Sequence, residues 1–261
     1  MMDPLDTLFA AAWRRYTERF WTLIWIFLVP SVLFFVGQLF LQVKTPAWDI
    51  AGGIVVIVAT IISIPASLGL INAIAYGTDF AASYRVGLKL FWPALGIGVL
   101  NMLAVMGGFV LLIIPGIILS IGLMFANYIL VAEDKRGMNA LLVSRNYVKG
   151  YWWAVFGRCL LLGGIFLGIV LVVYVPLAAL LGRAIGAALY FAFVLCFSVF
   201  GVCYTYELYG NVRRLKADAA GVAGAAGAAA IGGSRKLIYA CIAVSVAMLV
   251  AIALVLAVSL L

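Results

Sequence analysis

The chain has 261 residues, 67% of them hydrophobic and only 10% charged, with a mean hydropathy of +1.25. A soluble domain carries roughly 45–50% apolar and about 25% charged residues. A fold of this size has too little interior to hide the excess, so composition excludes a soluble globular protein and makes lipid the solvent. The net charge of +8 sits in short basic clusters between apolar runs, which fits orientation signals and anionic headgroups and not nucleic acid.

In chain order, the first predicted element is a surface helix. Leu5, Leu8, Phe9, Ala12, Trp13, Tyr16 and Phe20 step by three and four residues and make one apolar stripe, with Arg14, Arg15, Glu18 and Arg19 on the other side. Asp3 can cap this helix and Pro4 can occupy its first position. Acidic residues Asp3, Asp6 and Glu18 argue against a cleavable signal peptide.

A helix needs about 20 apolar residues to cross a bilayer core. Such runs cover residues 20–41, 50–76, 92–113, 115–131, 153–180, 184–209 and 237–261. The third and fourth are nearly continuous and together too long for one crossing, so the chain must reverse. Ile114-Pro115-Gly116-Ile117 is the best turn and Gly107-Gly108 the alternative. The run at 153–180 is longer than a crossing needs. An Ala/Gly-rich stretch at 217–234 reads as a flexible linker. The predicted organisation is a membrane core over 1–216, this linker, and a C-terminal helix over 235–261.

With these spans, all basic residues except Lys44 and Arg183 fall on one side of the membrane. The positive-inside rule then gives a cytoplasmic N-terminus and an extracytoplasmic C-terminus.

Three segments align without gaps: Phe9 to Trp21, Phe80 to Trp92 and Ala140 to Trp152. Arg14, Arg85 and Arg145 occupy one position, and Phe20-Trp21, Phe91-Trp92 and Tyr151-Trp152 close the copies. Each copy leads into a pair of spans. The fold expected is therefore all-α and integral to the membrane: three repeats of an interfacial helix and a transmembrane hairpin, followed by a seventh span. Trp13, Arg14, Trp21, Arg85, Trp92, Arg145 and Trp152 are the expected contacts with interfacial lipid, including anionic headgroups at the cytoplasmic face. The last span, opening at Leu237 and closing at Leu261, is rich in Ala and Ser and suits a partner membrane helix.

The chain has no histidine, which removes Ser-His and Cys-His nucleophile pairs and His-based metal and haem sites. Cys159, Cys196, Cys203 and Cys241 lie inside apolar runs as small core residues, without metal-ligand spacing. No phosphate-binding or dinucleotide motif is present, and no cofactor is expected. Gly107-Gly108 and Gly163-Gly164 suit close helix packing. Glu133 and Asp134, beside Lys135 and Arg136, read as a solvated loop cluster or a cap for the third surface helix. Arg158 and Glu207 lie near the cytoplasmic ends of the fifth and sixth spans and are candidates for an ion pair. Asn72, Asn101, Asn127 and Tyr128 are candidate interior polar groups, able to bond between helices or line a pathway.

Trp13-Arg-Arg-Tyr, Ile114-Pro-Gly-Ile, Glu133 to Ser144 and Lys149-Gly-Tyr-Trp resemble the YciC-like bacterial membrane proteins. They are also similar to the membrane domain attached to some glycerophosphodiester phosphodiesterases. The resemblance covers roughly residues 5–215 and implies a six-span protein of a bacterial inner membrane. It brings no catalytic residues, because those phosphodiesterases carry their chemistry in a separate soluble barrel. The function expected is non-enzymatic: organising or assisting membrane lipids or partner membrane proteins, with a transporter or lipid translocator as the alternative.

Overall fold

The structure, a computed structural model, describes residues 2–43, 45–223 and 238–248. Among the described residues there is helix and no strand. The helices are α1 (Leu5–Glu18), α2 (Phe20–Leu41), α3 (Pro46–Tyr76), α4 (Phe80–Lys89), α5 (Phe91–Leu111), α6 (Ile113–Leu123), α7 (Ala126–Glu133), α8 (Met138–Val148), α9 (Trp152–Ile169), α10 (Val175–Leu181) and α11 (Arg183–Ala223). An apolar helix at Ile238–Met248, here α12, follows. Six stretches are long and apolar enough to cross a membrane: Phe20–Leu41, Pro46–Tyr76, Phe91–Leu111, Ile113–Glu133, Trp152–Leu177 and Ile185–Asp218. They fit a multi-pass membrane protein. The predicted seventh span lies largely outside the described residues, as do Lys44 and most of the linker.

The chain divides into two compact units. The first comprises Asp3–Phe91 and Gly157–Leu208. Helices α2 and α3 form its hairpin, and Gly37 lets them approach: a Cβ there would lie 2.8 Å from the Val56 side chain. Helix α4 then docks on the C-terminal half of α3. A Cβ at Gly69 would lie 2.9 Å from the Ser83 carbonyl oxygen, and one at Gly87 would collide with the Pro65 carbonyl. Without Cβ atoms in the way, two backbones meet where larger residues would hold them apart.

The second unit comprises Trp92–Phe156 and the chain from Tyr209 onward. Its hairpin reverses at Leu112, whose backbone is extended (φ −170°, ψ 153°). The break lies between the two predicted turns, and one glycine of each, Gly108 and Gly116, forms the contact beside it. Gly108 and Gly116 would be about 12 Å apart along one helix, yet a Cβ on Gly108 would lie 3.0 Å from the Gly116 Cα. Pro115 does not make the bend; it sits in the first turn of α6, where a missing N–H costs little. Leu112 itself keeps both backbone bonds, donating to the Gly108 carbonyl (3.1 Å) and accepting from the Gly116 N–H (3.4 Å).

Gly107, the neighbouring glycine, receives α12. A Cβ there would strike the Cys241 carbonyl, and Ser245 Oγ donates to the Leu103 carbonyl at 2.6 Å. Gly163 and Gly164 behave otherwise than expected: nothing approaches within 4 Å of their would-be Cβ positions. No residue in the most apolar window of Trp152–Leu177 is buried, so α9 presents these glycines to its surroundings. The long apolar run containing α9 is interrupted by a π-helical turn at Val170–Tyr174. Pro176 follows it and removes an N–H, so a change of hydrogen-bond register here is expected. Helix α11 continues to Ala223, beyond Lys216 where the linker was expected to begin; alanine is the strongest helix former.

Candidate functional site

The polar residues of the first unit gather at the ends of its helices. Helix α3 ends on Gly77 in the left-handed conformation (φ 68°), its N–H bonded to the Ala73 carbonyl at 2.9 Å. The carbonyls of such an end carry partial negative charge. Arg15 donates to the Ile74 carbonyl (3.0 Å) and Arg19 to the Gly77 carbonyl. Two of the arginines read as headgroup contacts or orientation signals therefore cap a protein helix. Arg15 also pairs with Glu207, whose side chain is 12% exposed, and stands 5.2 Å from the centre of the Tyr206 ring. The partner shown for Glu207 is thus Arg15 of α1. Arg158, buried near the start of α9, donates to the backbone carbonyl of Asp3. Phe9, Trp13 and Tyr16 of α1 each pack a ring against Phe200 of α11.

A second set of bonds ties α4 to the hairpin. Asn72 donates to Thr78 Oγ1 (2.8 Å), which lies 2.7 Å from Ser83 Oγ. Asn72 is a buried link in a local chain, and its bond goes to the loop that follows its own helix. Pro30, inside α2, has no N–H to offer the Ile26 carbonyl. Tyr84 of α4 fills the vacancy, its hydroxyl donating to that carbonyl at 3.0 Å. Burial raises the pKa of Tyr84, which keeps the donor proton in place.

In the second unit, α8 stitches a broken span. The span Ile113–Glu133 is interrupted at Met124-Phe125. Fully buried Ser144 accepts the Phe125 N–H (3.2 Å) and donates to the Gly122 carbonyl (2.9 Å). One hydroxyl serves both backbone groups at the gap. Just beyond, Glu133 gathers three partners on Oε1: the hydroxyls of Tyr147 (2.9 Å) and Tyr209 (2.7 Å), and Arg213 Nε at 3.5 Å. Burial, then the bond to Glu133, pushes the Tyr147 phenol up to about 12. The loop-cluster reading is corrected for Glu133, whose side chain is 13% exposed. It holds for Asp134, which is exposed and 3.1 Å from Arg136.

The remaining predicted residues separate. Asn127 is exposed, so it is not an interior group; its helix turns Tyr128, Ile129 and Leu130 inward instead. Tyr128 is buried and stacks on Tyr209, ring centres 6.2 Å apart. Asn101 lies half-buried with its Oδ1 buried and unpartnered. Trp13, Trp21 and Trp92 are 58%, 71% and 74% exposed, and Arg14 and Arg85 are exposed as well. Arg145 and Trp152 differ. Arg145 is partly buried, with its pKa lowered by desolvation. Trp152 is partly buried with its ring N–H unpartnered, while neighbouring Trp153 is 77% exposed.

No family model, curated protein or solved structure matches the chain. The site therefore rests on its own geometry. Among the described residues, no three His, Cys, Asp or Glu side chains assemble into a metal-holding group.

One cavity of about 400 Å³ lies in the first unit between α2, α3 and α11. Pro30, Ser31, Thr60, Ser63, Phe191 and Ser198 are among its lining residues. The hydroxyls had no motif to announce them, since each sits singly in an apolar run. Arg15 and Glu133 escaped assignment for a related reason: a charge beside a span reads alike whether it faces water or a carbonyl.

Proposed function

We propose that this chain is a non-enzymatic membrane protein of a bacterial inner membrane that gathers lipids, or partner spans, around a three-hairpin core. The observation carrying this reading is the exposure of Trp13, Trp21, Trp92, Arg14 and Arg85 beside the starts of spans, where aromatic rings and cations suit the headgroup layer. The absence of histidine from the sequence agrees with a role without acid–base or metal chemistry.

The repeat belongs to this proposal. The first two copies break helix at Arg19 and Leu90. The corresponding residue of the third is Gly150, with φ +91°. A shared break point supports descent of the three units from one pattern, as does the YciC-like resemblance of the motifs around them. In this reading the N-terminus is cytoplasmic, α12 begins a seventh span, and the C-terminus is extracytoplasmic.

A test is lipid retention. Protein purified from nanodiscs of mixed zwitterionic and anionic phospholipid should keep anionic lipid above its bulk fraction, measured by native mass spectrometry. Replacing Arg14, Arg85 and Lys89 by Gln should remove that enrichment. Retention at the bulk ratio in the wild type would sink the reading. The second reading, a lipid translocator, draws support from the mid-depth cavity between α2, α3 and α11; flux of a fluorescent phospholipid in proteoliposomes decides it.

A further inference from the structure

We infer that the cavity between α2, α3 and α11 is a binding site for a lipid-soluble alcohol: an apolar chain bearing a hydroxyl group that lies near the middle of the bilayer. The inference does not depend on whether the protein gathers lipids or moves them.

Depth comes first. Ser31 lies about 16 Å along α2 from Phe20 at 1.5 Å per residue, near the middle of a hydrocarbon core about 30 Å thick. Lining residues Phe34 and Thr60 are exposed on the outer surface of these apolar helices, so an occupant can enter from lipid. Volume and shape come next: about 400 Å³, walled by Phe27, Phe34 and Phe191, suits a chain or ring system and not an ion.

The polar lining then narrows the chemistry. Ser31 Oγ donates to the Phe27 carbonyl (2.7 Å), Thr60 Oγ1 to Val56 (2.8 Å) and Ser63 Oγ to Thr60 (2.7 Å). Each hydroxyl has used its single proton on its own helix, so only its lone pairs remain. Ser198, from α11, joins the same lining. A single back-bonded serine in a span is commonplace, but here two helices deliver three such oxygens to one cavity and a third helix adds a hydroxyl. Three of the four oxygens can only accept, while Ser198 can donate or accept, so an occupant with an O–H to donate can use them all. One offering only carbonyl or ether oxygens could bond to Ser198 alone. A saturated acyl chain fills the volume but leaves the lone pairs unused.

Photo-crosslinking in nanodiscs tests this with two probes of equal length, a diazirine-bearing long-chain alcohol and its methyl ether. The alcohol should label the cavity peptides about fivefold more than the ether, the preference one neutral hydrogen bond supplies. The Ser31→Ala/Thr60→Val/Ser63→Ala variant keeps the shape and removes the three acceptor-only oxygens, leaving Ser198, which can bond to either probe. It should label equally with both probes while its melting temperature holds. Ser63→Phe, which fills the space, should label with neither. Equal labelling of the wild type by alcohol and ether would overturn the inference and leave a nonspecific apolar slot. So would an alcohol preference that survives the triple substitution, or labelling that persists in Ser63→Phe.

Discussion

Tyr84 illustrates how a single hydroxyl can make a proline tolerable inside a span. The Ile26 carbonyl, deprived of its helical donor by Pro30, accepts the Tyr84 hydroxyl instead. An unpaired carbonyl in hydrocarbon is costly. Tyr84→Phe should therefore destabilise the protein by about 1–3 kcal/mol. In a Pro30→Ala background the backbone N–H restored at that position can reach the Ile26 carbonyl, and the same change should cost much less. A denaturant-based double-mutant cycle in detergent measures the difference; equal costs in both backgrounds would show that the two residues are not coupled. Tyr147 yields a pH dependence. Its folded pKa, about 12, exceeds the ordinary 10.0, so the unfolded chain loses this proton first as pH rises. The associated stability is intact below about 10 and disappears as pH climbs through about 12. Thermal melts across that window should show the loss, and Tyr147→Phe should make it shallower. The first-span arginines teach a related lesson. That Arg14, Arg15 and Arg19 precede an apolar span could be read from order along the chain. Only tertiary packing reveals that Arg15 and Arg19 aim at the end of α3.

Elements were more legible than their joints. Six of the apolar runs coincide closely with helices because length and hydropathy together determine a crossing. The turn at Leu112 was hidden because proline and glycine usually mark bends, whereas here Gly108 and Gly116 serve contact and Pro115 opens a helix. The break at Met124-Phe125 was equally silent, since its stabiliser, Ser144, comes from another helix. The cavity hydroxyls could not be grouped from sequence, as α2, α3 and α11 meet only in the folded chain. Close glycine contacts also make an element testable. Gly107→Val would push the Cys241 carbonyl, and α12 with it, off its seat on α5, and overpacking of this kind costs about 1–3 kcal/mol. With Cys159, Cys196 and Cys203 replaced by Ala, Cys241 (1% exposed) should then react about tenfold faster with a lipid-soluble maleimide. An unchanged rate would mean that α12 does not depend on this notch.

At the scale of the molecule, the proposed threading makes one firm demand. Single cysteines replacing Arg85 and Lys135, in a chain otherwise free of cysteine, should both react with an impermeant reagent only from the cytoplasmic side. Labelling from opposite compartments would dissolve the three-hairpin plan, because the hairpin between those positions would then cross an odd number of times.

The tip of the hairpin between α5 and α6 bears on how the protein is made. Leu111, Leu112, Ile113 and Ile114 are 49–71% exposed, and no polar side chain occurs between Phe109 and Ile117. A charged residue at the centre of a helix adds about 2.5–3.5 kcal/mol to insertion, and a hydrated loop adds its own dehydration. This tip carries neither, and the Leu112 backbone bonds internally. On the proposed threading, the two limbs can therefore enter the bilayer from the cytoplasmic side as a preformed pair, with the membrane potential given no charge to act on.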